Sequence, residues 1–264
     1  MATPERGVPE YVNYIAHVIG QQYNDDASVL PAGQSVYRFG RNRAVGTAYE
    51  IIWEIGGTET LPTTNAIDRI SSTSAADNQE IRVSGFTLSD GNLTRVVQVA
   101  TLNGQTPVAL STPLARACEL ININGTDLAG DVYAYQQAAT VVAGEPQEAN
   151  LTHILIDGSG FENRSFKAAC ATQSTEYYVV TEFTASVLEK NAAFADFEFQ
   201  VKPVDGAWRT ESSLQSSSSS GTIAHKFDPP LIVPPNYDIR IRASADGSNT
   251  FLAASFSAYT ARIR

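Results

Sequence analysis

Apolar and polar residues alternate along most of this chain with a period of two, the spacing of a strand with one buried face. Ile67-Asp68-Arg69-Ile70 opens the first such run. Ile81 and Val83 alternate with Arg82 and Ser84, and Val97, Val99 and Thr101 with Gln98 and Ala100, Val96 adding bulk. Leu120, Ile121 and Ile123 precede Asn124-Gly125, and Val132, Tyr133 and Tyr135 follow. Tyr177, Val179, Thr181, Phe183, Ala185 and Val187 fall on one face of a long strand. Phe197, Phe199 and Val201 line another, and Ile239 and Ile241 alternate with Arg240 and Arg242. Asp90-Gly91 and Asn103-Gly104 supply hairpin-type turns. No helix-length crossover separates the runs, so pairing is antiparallel. The pattern predicts an all-β fold: an antiparallel β-sandwich body, jelly-roll or Ig-like, made of two sandwiches and preceded by an extended N-terminal arm.

The arm is residues 1–45, the first β-region 46–145 and the second 146–264. Within the arm, Val12, Ile15, Ala16 and Ile19 keep helical spacing over barely two turns, too short to be stable alone. Such a segment packs on its own domain or docks on a neighbouring subunit. Tyr11, Ile15, Ile19, Tyr37, Arg38, Arg41 and Arg43 are the candidate interface residues. Ser212–Ser220 (SSLQSSSSS) reads as a flexible loop at a hairpin tip. Asp228–Pro235 (DPPLIVPP) reads as an extended edge or surface segment, because proline cannot serve a central strand.

Composition narrows the functions. Hydrophobic residues make up 43% of the 264, enough for a proper core, and charged residues only 17%. The surface is therefore Ser, Thr, Asn, Gln and Gly, or is covered by other chains. Net charge is −10, and the arm is charge-balanced, so the negative charge lies in the body. Without clustered Lys and Arg the chain is a poor nucleic-acid binder. No apolar run approaches a membrane span and no secretory leader is read, which implies synthesis in a reducing compartment. Cys118 and Cys170 are expected as free, buried thiols, with a disulfide between them as the alternative.

Catalytic patterns are missing. His17, His153 and His225 lack metal-type spacing. Gly158-Ser159-Gly160 lacks the frame of a nucleophile elbow and reads as a turn. Neither Gly56-Gly57 nor Gly158–Gly160 leads into a helix that would cradle phosphate. No pair of carboxylates stands out as a glycosidase acid and base. No enzyme activity, cofactor or metal is expected. Arg240 and Arg242 share one strand face, and Arg262 and Arg264 another; if those strands pair, a basic patch forms, or else an ordinary solvent face.

Three blocks carry a resemblance. The first is Phe39-Gly40-Arg41-Asn42, Val45-Gly46-Thr47, Ile52-Trp53-Glu54, Gly56-Gly57 and Leu61-Pro62-Thr63. The second is Val96–Val108 with its Leu102-Asn103-Gly104-Gln105-Thr106-Pro107-Val108 turn. The third is His225-Lys226-Phe227 with Ile239-Arg240-Ile241-Arg242. Together they resemble a family of virion structural proteins from tailed phages, many of them marine, across most of residues 36–264. Arg43 and Glu50 depart from the family pattern, and residues 1–35 are not covered. The resemblance implies a cement or decoration protein, a homotrimer on the capsid exterior, assembled in the host cytoplasm. Its partner would be the major capsid protein, with no nucleic acid and no membrane bound. Alternatives are a head-fibre or tail module that binds host glycans, a neck or tail ring component and, last, a sandwich-type carbohydrate enzyme.

Overall fold

The computed structural model describes residues 35–158, 163–188, 194–217 and 221–262. Among the described residues eighteen strands follow in chain order. They are β1 (Ser35–Val45), β2 (Glu50–Ile51), β3 (Ile67–Ser72), β4 (Glu80–Ser89), β5 (Asn92–Thr101) and β6 (Val108–Leu114). Then come β7 (Arg116–Asn122), β8 (Val132–Gln136), β9 (Val141–Val142), β10 (Glu145–Pro146), β11 (Thr152–Ile156) and β12 (Ala169–Ala171). The last six are β13 (Glu176–Val187), β14 (Phe194–Pro203), β15 (Arg209–Ser217), β16 (Thr222–Val233), β17 (Tyr237–Ala245) and β18 (Thr250–Arg262). Every named strand pairing is antiparallel, and the one helical turn among the described residues is Ala149–Leu151.

Two sandwiches result. In the first, sheet I (β1-β18-β13-β16) packs on sheet II (β12-β17-β14-β15, with β2 also on β17). Phe183 and Phe256 from sheet I meet Phe197 and Phe199 from sheet II; Phe199 stands edge-on to Phe256 with ring centres 5.5 Å apart. In the second, sheet III (β11-β8-β3-β6) packs on sheet IV (β5-β4-β7) around Ile67, Ile70, Ile81, Val83, Leu120 and Ile156. Sheet IV has two allegiances. One face fills the second core, while Phe86, Leu93 and Cys118 enter the first.

The second sandwich is inserted into the first. β1 pairs with β18 along its length, Ser35 opposite Tyr259 and Asn42 opposite Leu252. Residues 35–45, expected in the arm, are thus an edge strand of the first sandwich, and the expected division at 145/146 does not separate the cores. The reason is topological. β1 and β2 complete sheets whose other strands lie beyond residue 168.

Local expectations fared unevenly. Asp90-Gly91 forms the β4–β5 hairpin, both residues at positive φ (50° and 75°). Asn103-Gly104 instead carries the chain from sheet IV to sheet III. The expected common face of β13 does not exist. A register shift between Val180 and Glu182 turns Tyr177 and Val179 outward while Phe183, Ala185 and Val187 face the core. In β5, Val97 and Val99 are 53% and 51% exposed, and Val96 and Ala100 take the inward register. Ser212–Ser217 is strand, not loop, because Leu214 packs on the first core while the backbone pairs with β14; residues 218–220 lie outside the described residues. Asp228–Val233 lies in the edge strand β16, as the prolines require.

Candidate functional site: a charge-stitched joint

The residues of the first resemblance block converge at one end of the first sandwich, where β1 of sheet I meets β2, β12 and β17 of sheet II beside the joint with the second sandwich. Gly40 is the closest approach. A Cβ there would lie 2.1 Å from the Ile52 carbonyl oxygen and 2.3 Å from the Ala168 nitrogen. That room lets Ala168 N–H bond Ile52 O, Ile241 N–H bond Ala168 O and Ile52 N–H bond Ile241 O. Trp53 is buried, donates from its indole N–H to Gly56 O (2.8 Å) and carries the Lys167 ammonium 4.9 Å from its ring centre. Gly56 and Gly57 both have positive φ (77° and 68°), which their turn requires. Glu50 accepts from Gly57 N–H (2.7 Å) and Gly46 N–H (3.1 Å), so its carboxylate organises that turn.

Three buried ion pairs gather at the joint, and the first links strands of the two sandwiches. Arg116 on β7 grips Asp238 on β17 bidentately, Nε to Oδ1 at 2.6 Å and Nη2 to Oδ2 at 3.0 Å, and donates to Pro62 O and Ala115 O. Lys167 Nζ donates to Glu59 Oε1 (2.6 Å), His153 O (3.0 Å) and Ala117 O (3.1 Å). Arg41 donates from Nε and Nη2 to Glu54 Oε1 (2.8 and 2.6 Å), reaches Asp157 at 3.4 Å and lies over the Phe166 ring. In the first two pairs each charge is tolerable only because its partner is present.

Two glutamates on one segment titrate oppositely. Burial pushes Glu54 up to about 7, outweighing Arg41 and the Phe166 N–H. Burial also acts on Glu59, but Lys167 and His153 overcome it and hold that carboxyl at about 2. His153 Nδ1 lies 3.5 Å from Glu59 Oε1, and Nε2 meets the Gln136 side-chain nitrogen at 2.9 Å. Cys118 and Cys170 are free and buried, and burial pushes Cys170 up to about 12, so neither is a ready nucleophile.

The candidate interface residues scatter. Tyr11, Ile15 and Ile19 lie outside the described residues. Tyr37 is 58% exposed. Arg38 is largely enclosed, 3.6 Å from Glu119. Arg41 is buried in the joint, and Arg43 pairs with Asp157 (3.0 Å) and stands over Phe251. Arg240 and Arg242 do share the outer face of sheet II, but each is already engaged. Arg242 pairs with Glu198 (2.7 Å), and Arg240 bonds Gln200 and stacks on Trp208, 3.9 Å from its ring centre. β17 and β18 lie in different sheets, so the extended basic patch does not form. Among the described residues no three His, Cys, Asp or Glu gather as a metal would need, and no helix is long and apolar enough to cross a membrane. Glu59, Arg116, Lys167 and Asp238 were missed in the sequence. Their signal is a charge set among small and apolar neighbours, as in Phe166-Lys167-Ala168-Ala169 and Leu114-Ala115-Arg116-Ala117.

No family model matches the chain, and no curated protein matches it. Among solved structures, a chain of the infectious bursal disease virus Gt strain structure aligns over 97% of this chain and 78% of its own, at 11% identity and a TM-score of 0.25. The VP2 subviral particle of that virus aligns over 96% and 78%, at 11% identity and a TM-score of 0.20. The tandem CBM22 domain of Paenibacillus barcinonensis Xyn10C aligns over 90% and 100%, at 10% identity and a TM-score of 0.21. The first two weak neighbours are virus-particle proteins; scores at this level carry no argument about function.

Proposed function

We propose that this chain is a non-enzymatic structural protein of a tailed-phage particle, seated on the outer capsid lattice as a cement or decoration protein. It self-associates as a homotrimer, contacts the major capsid protein and bridges adjacent capsomers, so that its binding energy stabilises the assembled state by mass action. One observation carries the reading. The family-like residues Gly40, Arg41, Ile52, Trp53, Glu54, Gly56, Gly57 and Ile241 gather beside the joint, where they tie sheet I to sheet II and fix the chain leaving β2 instead of lining an open cleft. A double sandwich with few charges and a polar surface suits a repeated interface. The test is the protein composition of purified particles, followed by their heat and low-salt resistance with the chain deleted. Hundreds of copies per particle and weakened capsids are expected; capsids of unchanged resistance overturn the cement role.

A second reading has its own observation. A polar groove of about 160 Å³ beside β1 is lined by Tyr37, Arg38, Arg95, Glu119, Gln173 and Glu176, a set suited to sugar hydroxyls. Glycan-array binding abolished by Tyr37→Ala, together with a handful of copies per particle, favours this tail or head-fibre adhesin.

A further inference from the structure

Arg38 turns into an enclosed space with no carboxylate in hydrogen-bond contact. Its Nε is buried and has no hydrogen-bond partner among the described residues. Its guanidinium stops 3.6 Å from Glu119 Oε1, and that same oxygen accepts a shorter bond, 2.9 Å, from Arg164. The Cys170 thiol lies beside Arg38, but burial pushes it up to about 12, so it brings no negative charge near neutral pH. One carboxylate thus serves two guanidiniums, and the more enclosed of them is the worse served. A charge so placed calls for an anion. The polar groove of about 160 Å³ opens beside it. Arg95 reaches that groove from β5. Val96 packs on the second core, so Arg95, its neighbour in the strand, points from the opposite face of sheet IV. The Arg95 guanidinium has no ion pair or hydrogen bond among the described residues. Arg38 and Arg95 both act electrostatically on the Tyr178 phenol, so the two guanidiniums stand around one side chain. Of the groove's two carboxylates, Glu119 is held by Arg164 and Glu176 has a contact of its own.

We propose that this groove binds a carboxylated sugar, of the uronic or sialic acid class, whose carboxylate lies between Arg38 and Arg95. The class follows from the lining. A guanidinium pairs with a carboxylate through two parallel N–H donors, a geometry that suits both arginines. Ser84 and Gln173 line the same groove and can bond ring hydroxyls. Tyr37, 58% exposed, offers a flat apolar ring with a polar tip at the groove's mouth. A bare inorganic anion would use the arginines and leave Ser84, Gln173 and Tyr37 idle. A neutral sugar would use those three and leave the Arg38 charge unpaired. The proposal rests on the glycan-groove reading given above and names the ligand's class; it is independent of the cement role.

The experiment is calorimetric titration of the full-length chain with glucuronate, N-acetylneuraminate, glucose and inorganic sulfate. At least one of the two sugar acids is expected to bind roughly tenfold or more tighter than glucose or sulfate, the worth of one charge-assisted hydrogen bond. Arg95→Gln is expected to remove that margin while leaving glucose binding and the melting temperature unchanged, because the fold does not use the Arg95 guanidinium. Tyr37→Ala is expected to weaken acidic and neutral sugars alike, and Arg242→Ala, on the outer face of sheet II, to change neither. Glucose bound as tightly as the acids overturns the acidic class and leaves the glycan groove standing. Sulfate bound as tightly as the acids overturns the sugar and leaves a bare anion site. An Arg95→Gln chain that keeps the full margin overturns the placement of the carboxylate. Binding of none of the four overturns the proposal and the groove reading together.

Discussion

Asp238 and Arg242 belong to the same strand, and each takes part in an arginine–carboxylate pair, yet the two pairs do different jobs. Asp238 faces the joint, almost wholly removed from water, and Arg116 binds it from the other sandwich. Arg242 faces outward, about a third exposed, and meets Glu198 on the adjacent strand. The first pair holds two bodies together and is costly to break. The second is screened by solvent and adds little. Charge placement relative to the cores, not charge content, decides what this chain's ionic groups contribute.

Arg116→Ala should have the largest effect. It leaves Asp238 buried with only Lys202, 3.6 Å away, and about 3–5 kcal/mol of stability should be lost, read from denaturant midpoints at constant slope. The double variant Arg116→Met with Asp238→Leu should lose clearly less than Arg116→Ala, because no orphan charge remains; an equal loss would mean that packing, not charge, holds the joint. The paired glutamates come next. Glu54 has a raised carboxyl, so its contribution is present below about pH 4.5 and is lost as pH rises through about 7. Glu54→Gln should therefore flatten the pH dependence of stability between those values. Glu59 has a depressed carboxyl, so its contribution is present above about pH 4.5 and is lost as pH falls through about 2. Glu59→Gln should destabilise at neutral pH, and a gain in melting temperature there would contradict the stitched joint. The smallest effect belongs to the outward pair: Arg242→Ala should cost at most about 1 kcal/mol, falling further in high salt.

The all-β class, the antiparallel pairing and the Asp90-Gly91 hairpin were legible because each rests on local spacing. What was not legible depends on long-range choices. Thr181 looks like a regular strand residue, yet the register shift beside it reverses the face of everything before it. Val96 and Val97 are equally apolar, and only the packing of sheet IV on β3 and β8 selects Val96 for the core. Ser212–Ser217 has loop composition but strand partners on β14. Of the joint, the motif residues Trp53, Glu54 and the two glycines were visible. Their partners Lys167, Arg116 and Asp238 were not, because no local pattern states that a strand's charge will meet an opposite charge more than a hundred positions away.

The pairing of β1 with β18 has a consequence for how the protein is made. The inserted sandwich owns all its strands once Ile156 has left the ribosome. The sandwich that begins first must keep β1 and β2 waiting, their edges bare, until Thr250–Arg262 has been translated. Of the two sandwiches, the one that starts earlier on the template finishes later, with the inserted sandwich already standing as the foundation on which it closes.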